Sequence, residues 1–249
     1  RIMWEPNSDL NKYGTPMVLM TIPMFTNHES VEGLYFDSSI TTPFHFVTVS
    51  GVAESPSNPV GGLSYINGDF DRGVRYMKEL GVDYFISYTD SITDKAIMSD
   101  ELENLFHSSP FTVFKIYSDK VQVVDAEVVN FSQPELFERI SNSIFKQEKT
   151  ESFFNLAMKE FKLDNKKRII EGIDTEESQI QNRIPGKKSE INNVRISNNE
   201  ITFETDHPNE LHIVKVSYFP NWKIENGSGP YRLSPVSYTH LTLPTSRSV

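Results

Sequence analysis

The sequence has no cysteine, little positive charge and no long hydrophobic run, and each absence excludes a class of function. Without cysteine there is no disulfide, no zinc–thiolate centre and no thiol nucleophile. The 24 lysines and arginines stand against 34 acidic residues, and the net charge of −10 argues against a nucleic-acid partner. No apolar run reaches the roughly 18 residues of a membrane-spanning helix. The best stretch, Met17–Met24, is short and contains Pro23.

Catalytic and metal-binding motifs are also missing. The sequence has no glycine-rich phosphate loop, no HExxH and no GxSxG. His207 and His212 are five residues apart on a predicted hairpin, where they would point to different places, so no metal pair is predicted. The longest basic cluster, Asp164–Arg168, is short, lies next to acidic residues and is predicted to be a solvated helix end. We therefore predict no catalytic residue, no cofactor and no metal in this chain.

Residues 1–130 are predicted to form an α/β unit. Phe70, Val74 and Met77 follow helical spacing, Asp69 or Asp71 can cap the start, and Gly81 suits the position after the end. A β-rich strand follows at Val82–Tyr88, and the Ser91–Asp94 stretch resembles a capping box. It predicts a helix to about His107, with Leu102, Leu105 and Phe106 facing inward. The residues 111–124 read as strand, turn and strand. The predicted core contains Met77, Leu80, Phe85, Ile86, Val113 and Ile116.

The remaining chain changes its periodicity twice. Residues 131–188 contain two amphipathic stripes and a polar tail, which predict a helical insert and linker. Residues 189–235 have a period of two and predict a β-sandwich-like unit. Its strands carry Val194, Ile201, Phe203, Ile213, Val214 and Val216. The fold class predicted from these patterns is α+β.

A ligand surface is predicted between Glu32 and His45, where aromatic, acidic and hydroxyl side chains are concentrated. Glu32, Tyr35, Asp37 and His45 are the candidate substrate-binding residues. The pattern allows one or two strands here, and an alternating strand would turn His45 outward between two buried phenylalanines. Trp222 is a competing platform, although its setting is typical of a core corner. Glu32 and Asp37 also leave open a glycosidic acid/base pair.

Five stretches together resemble segments of multi-pass membrane proteins, namely 4–17, 31–46, 54–63, 72–90 and 214–235. "LGVDYFISY" and "SYFPNWKI" carry most of the likeness. The family comprises YfhO-like and pyruvoyl-tetrahydropterin-synthase-related membrane proteins, which resemble the GT-C glycosyltransferases. Residues 131–188 do not match it.

The resemblance implies an extracytoplasmic domain of a glycosyltransferase-like protein in the cell membrane. Its partners would be transmembrane helices of the same parent chain and a glycan or polyprenyl-linked sugar. The family's catalytic acids would lie upstream of Arg1, so none is carried over. Two alternatives remain: a structural brace for the transmembrane bundle, and a glycoside hydrolase using Glu32 and Asp37.

The last stretch, 236–249, is expected to be non-native. Val236–Thr245 reverse-translates to one reading frame of a transposase-type sequencing adaptor. We therefore expect the natural protein to be cut at about Pro235 and to continue beyond it, so that both ends are artificial. We also expect His240 to have no role and the tail to pack on nothing specific.

Overall fold

The computed structural model describes residues 1–33, 42–59, 65–123, 127–131, 167–171, 190–197, 199–207, 210–217, 221–234 and 238–242. The chain divides into two compact units, Arg1–Ser118 and Asp119–Val249, and each is described by itself. The predicted α+β fold class is confirmed. Within the described residues, none of the helices has the length and apolar character needed to cross a membrane.

The first unit combines a four-stranded sheet with helices and short 3-10 turns. Its elements in chain order are β1 (Ile2–Trp4), two 3-10 helices (Ser8–Tyr13 and Val18–Thr21), α1 (Ile22–Phe25), α2 (Thr42–Val52), α3 (Phe70–Glu79), β2 (Tyr84–Ser87), α4 (Asp90–Met98), β3 (Leu102–Ser108) and β4 (Phe111–Ile116). The strand order is β1-β2-β4-β3. β1 is parallel to β2, and the other two pairings are antiparallel.

The predicted helix and strand in the middle of this unit are confirmed. The Asp69 carboxylate caps α3 by accepting a hydrogen bond from the Arg72 backbone N–H at 3.1 Å. Gly81 follows the helix with a φ of 64°, a conformation that favours glycine. β2 then begins at Tyr84. The local signals were strong here because helical spacing, cap and terminating glycine all agreed.

The sheet of the first unit has two different faces. Burial alternates along β2 and β4, so Phe85 and Ile116 lie on the face that packs under the helices. The ring of Phe70 on α3 meets Phe85 edge-on, with 6.4 Å between centroids. Ile86 and Val113 were predicted to be core but are only half-buried, because they lie on the opposite face. The other predicted core residues, Met77, Leu80, Phe85 and Ile116, are buried.

The predicted helix to His107 is wrong beyond Met98. α4 ends there, and β3 begins at Leu102 and pairs with β4. Leu105 and Phe106, predicted to face inward, are exposed. Three apolar residues in a short window fit a helix and a strand equally well, and pairing with β4 decides between them.

Helices α2 and α3 meet through two glycines. A Cβ added at Gly73 would lie 2.5 Å from Cγ1 of Val52 and 3.2 Å from the backbone of Gly51. A Cβ at Gly51 would lie 2.8 Å from the carbonyl oxygen of Asp69. The absence of side chains at both positions therefore allows the two helix backbones to approach closely.

Glu5 joins three separate segments of the first unit. It follows β1 directly and is fully buried. Its carboxylate accepts hydrogen bonds from the backbone N–H groups of Tyr88 and Thr89, both at 2.9 Å, and from the Thr89 hydroxyl at 2.8 Å. It also accepts one from the Glu54 N–H at 3.2 Å. The end of β1 is thereby tied to the start of α4 and to the chain after α2.

The second unit contains a six-stranded sheet and a two-stranded hairpin. Its strands are β5 (Val121–Val123), β6 (Glu127–Phe131), β7 (Lys167–Glu171), β8 (Ile191–Ile196), β9 (Ile201–Thr205), β10 (Leu211–Ser217), β11 (Ser228–Ser234) and β12 (Tyr238–Thr242). The larger sheet has the order β5-β10-β12-β11-β7-β6, and β8 pairs with β9. Val121, Phe203 and Val214 form a core where the hairpin meets the larger sheet.

Three of the strands predicted in 189–235 are confirmed as β8, β9 and β10. The fourth was predicted from Lys223, but β11 begins only at Ser228. Phe203, Ile213 and Val214 are buried, whereas Val194 is exposed. β10 is buried on both faces from His212 to Lys215, so the expected single inner face does not hold for this strand.

The sequence-based boundaries differ from those of the structure. The units divide after Ser118, so β5 belongs to the second unit although it was placed in the first. β7 is a strand inside the expected helical insert, and the interpretation of Asp164–Arg168 as a helix end is therefore wrong. The two helices expected in 134–162 lie outside the described residues.

The expectation that the tail packs on nothing is also wrong. β12 pairs antiparallel with β10 and with β11, between them in the sheet. Such pairing uses backbone groups, which every non-proline residue supplies. It is therefore compatible both with a natural and with an adaptor-derived sequence in this stretch.

Substituting Gly73 by alanine is expected to destabilise the protein. Alanine normally favours a helix interior, but here its methyl group would clash with Val52, and overpacking costs about 1–3 kcal/mol. Denaturant unfolding measures this. Gly33→Ala is the control, because nothing lies within 4 Å of its added Cβ. A stabilising Gly73→Ala would contradict the close helix contact.

Replacing Glu5 by glutamine is expected to lower the free energy of unfolding by about 3 kcal/mol. The amide nitrogen cannot accept, so buried N–H donors lose their partner. Glu29→Gln is the matched control, because Glu29 is exposed and its pair with Arg1 is worth less than about 1 kcal/mol. Equal losses of stability in the two variants would show that the hydrogen bonds of the Glu5 carboxylate do not stabilise the first unit.

Candidate functional site

Two of the predicted ligand residues, Glu32 and His45, lie side by side in the first unit. The Glu32 Oε2 atom is 3.8 Å from Nε2 of His45, which is longer than a direct hydrogen bond. Their side chains are only 15% and 6% exposed, respectively. Tyr35 and Asp37 lie outside the described residues. The sequence thus named both members of a buried acid–imidazole pair.

His45 reaches this position on a helix, so the expected strand with an outward His45 is wrong. It lies in the first turn of α2 and is buried. From Phe44 to Val52 only Phe46 is not fully buried, and a helix buried on all sides shows no amphipathic period. The hydroxyls of Thr48 and Ser50 donate to backbone carbonyls at 2.8 and 2.7 Å, so burial leaves them satisfied.

Glu32 is positioned by the segment that follows the 3-10 and α1 turns. This segment runs beside β1, with the Ile2 N–H donating to the Glu29 carbonyl at 2.7 Å and the Val31 N–H donating to the Ile2 carbonyl at 2.9 Å. The Ser30 hydroxyl donates to the Glu32 carbonyl at 2.5 Å. The backbone of Glu32 is therefore held against the sheet while its side chain meets His45.

Burial drives both groups of the pair toward their uncharged forms. It raises the pKa of Glu32 from 4.5 to about 7. It lowers the pKa of His45 from 6.5 to about 4. Between these values the carboxylic acid and the imidazole are both neutral, and each can donate and accept a hydrogen bond.

The pair has hydrogen-bonding capacity left over. Nδ1 of His45 is buried and has no hydrogen-bond partner among the described residues. Buried polar atoms are nearly always paired in folded proteins. An unpaired imidazole nitrogen beside a neutral acid is therefore suited to a ligand that both donates and accepts, such as a hydroxyl group.

A second feature of the first unit is an open cleft of about 520 Å³. It is lined by Ala53, Glu54, Pro56, Asn58, Asn67, Gly68, Ser91 and Lys95. The Asn58 side-chain amide donates to the Asn67 side-chain carbonyl at 3.2 Å. Neither Glu32 nor His45 lines this cleft, so it is separate from the acid–imidazole pair.

Trp222, the competing platform, belongs to the second unit. It is partly buried. Ile224, two residues on, packs against the core of this unit.

His207 and His212 of the second unit contact residues that are close to them in sequence. Nδ1 of His212 lies 2.8 Å from the Glu210 carbonyl oxygen and its Nε2 lies 3.0 Å from the Thr205 hydroxyl. Burial lowers the pKa of His212. His207 contacts Asp206 and Glu210 at 3.2 and 3.3 Å. In the part of the chain that the structure describes, no group of three or more acidic or histidine side chains could hold a metal ion.

Comparison of the chain with models of known families, with curated proteins and with solved structures finds no match.

The two members of the pair contribute to stability with opposite pH dependence. Glu32 has a raised pKa in the folded state, so its contribution is present below pH 4.5 and is lost as the pH rises to about 7. His45 has a lowered pKa, so its contribution is present above pH 6.5 and is lost as the pH falls to about 4. Between pH 4.5 and 6.5 the two slopes cancel.

Single substitutions should separate these slopes. Relative to wild type, the stability of Glu32→Gln is expected to rise between pH 4.5 and 7 by about 3 kcal/mol. That of His45→Gln is expected to fall by a similar amount between pH 4 and 6.5. Urea unfolding at a series of pH values gives both difference curves, in which other titrating groups cancel. Flat curves, or curves of the same sign, would contradict a buried neutral pair.

Proposed function

We propose that this chain is an extracytoplasmic part of a membrane-embedded, glycosyltransferase-like protein. Its first unit recognises a glycan or a polyprenyl-linked sugar and does not itself catalyse transfer. Its partners are that saccharide and the transmembrane helices of the same parent protein. The placement at the extracytoplasmic side of the cell membrane is supported by the family resemblance of the sequence.

The observation that carries the recognition is the buried, uncharged pair of Glu32 and His45. A sugar hydroxyl both donates and accepts, and each member of the pair can do the same. Nδ1 of the imidazole has no partner among the described residues, so it gains a hydrogen bond when a ligand supplies one. Above about pH 4 the imidazole itself offers an anionic group no positive charge, which favours the saccharide over a phosphate as the contacting group.

One alternative activity is supported by the same pair. A carboxylic acid with a pKa of about 7 has the property required of a general acid in glycoside hydrolysis. Hydrolysis also needs a second carboxylate across the scissile bond, and Asp37 is the candidate from the sequence. The brace alternative predicts no ligand at this pair at all.

Glutamine at position 32 separates recognition from hydrolysis. At pH 6, Glu32→Gln is expected to keep glycan affinity within about threefold, because the amide donates and accepts like the neutral acid. Glu32→Leu is expected to lose about tenfold or more, because the hydroxyl is left unpaired. Wild-type affinity should fall above pH 7 as Glu32 ionises, whereas the affinity of Glu32→Gln should not. A glycan array followed by titration calorimetry measures these affinities.

Glu29→Gln and Asn67→Ala are matched controls, because they alter an exposed acid and the separate cleft. Neither should change the affinity. If the wild-type chain hydrolyses a glycoside and Glu32→Gln abolishes this turnover, the hydrolase alternative replaces the binding proposal. If the chain binds no glycan, the structural brace for the transmembrane bundle is the alternative that remains.

A further inference from the structure

One segment of the first unit exposes large hydrophobic side chains and carries no charge. We call Tyr13–Asn27 the apolar loop; it contains the second 3-10 helix and α1 and has no charged residue. No residue from 11 to 29 is buried. Met24 and Phe25, which we call the tip of the loop, are 80% and 83% exposed. Soluble surfaces seldom expose adjacent large apolar side chains in this way, so the tip calls for an apolar environment.

Aromatic contacts anchor both ends of the apolar loop to the open face of the sheet. The Tyr13 ring lies 6.2 Å from the ring of Phe111 on β4. His28, just beyond the other end, lies 5.1 Å from the ring of Tyr84 on β2. Met24 and Phe25 lie in sequence between these two contacts, so both ends of the loop are held against the sheet.

Three threonine hydroxyls of the apolar loop make hydrogen bonds within it. The Thr21 hydroxyl donates to the Val18 carbonyl at 2.7 Å, and the Thr26 hydroxyl donates to the Ile22 carbonyl at 3.0 Å. The Thr15 hydroxyl accepts from the Met17 N–H at 3.2 Å. Transfer of a polar group out of water costs little when its hydrogen bonds are already made.

Cations and tyrosines border the loop where it meets the sheet. The Lys12 ammonium lies 5.2 Å from the Tyr13 ring and 5.4 Å from the Tyr88 ring. The Lys115 ammonium lies 4.2 Å from the Tyr84 ring, which also contacts His28. Tyrosine and lysine are the residues that membrane proteins place at the level of the lipid headgroups. Their charge complements the lipid phosphates, while the uncharged tip complements the acyl boundary.

We propose that the apolar loop inserts its tip, Met24 and Phe25, into the interfacial layer of a lipid bilayer. The inference is independent of the glycan site, because neither Glu32 nor His45 belongs to the loop. An uncharged, highly exposed pair of apolar side chains bordered by lysine and tyrosine is complementary to the acyl and headgroup levels of a lipid surface. Insertion of one short loop gives weak, reversible binding.

Flotation of the whole chain with phosphatidylcholine vesicles tests the inference. Wild type is expected to float with the vesicles, and Met24→Asp/Phe25→Asp is expected to lower the partition coefficient by about tenfold or more. Met98→Asp is the matched control, because Met98 at the end of α4 is 84% exposed and lies outside the loop. It should float like wild type. All three positions are exposed, so the substitutions are expected to leave the fold intact.

A second measurement reports insertion directly. The chain has no cysteine, so Phe25→Cys and Met98→Cys each allow one polarity-sensitive dye to be attached. Vesicles should shift the emission of the dye at position 25 to the blue and leave that at position 98 unchanged. Three results would overturn the proposal: wild type that stays below the vesicles, equal losses in the loop and control variants, or self-association of wild type that the loop substitutions abolish.

Discussion

The buried carboxylate of Glu5 is the contact on which the first unit depends. Glu5 is the residue that follows β1, and its carboxylate accepts hydrogen bonds from the start of α4 and from the chain after α2. Because the parallel strands β1 and β2 end at the same edge, one carboxylate there can accept from backbone groups of two other segments. A buried charge is stable only with several such partners, so its removal would leave several donors unpaired at once.

The two faces of the sheet are adapted to different surroundings. Phe85, Phe114 and Ile116 face the helices, whereas Tyr84, Ile86 and Lys115 lie on the face that carries the apolar loop. The alternation of a strand therefore separates a dry interior from a surface that is apolar but open. Glu32 follows the segment beside β1, which leads from the loop to the buried pair.

The sequence predicted elements where independent local signals agreed, as in α3 with its Asp69 cap and its terminal Gly81. It failed at α2, because β-branched residues and burial on every side conceal a helical period. β3 was missed since its identity depends on a distant partner strand. Glu32 and His45 were selected by composition, yet their pairing across thirteen positions depends on α2 and could not be read locally. Glu5 escaped notice because a single acid after an apolar triplet has no distinctive pattern.

The glycine contact between α2 and α3 has a mechanical consequence. Backbone against backbone leaves no flexible side chain between Gly51 and Gly73 to absorb a small displacement. Phe70 at the start of α3 in turn contacts Phe85 on β2, an inner strand of the sheet. A displacement of α2, which carries His45, would therefore be opposed by α3 and by the sheet against which α3 packs.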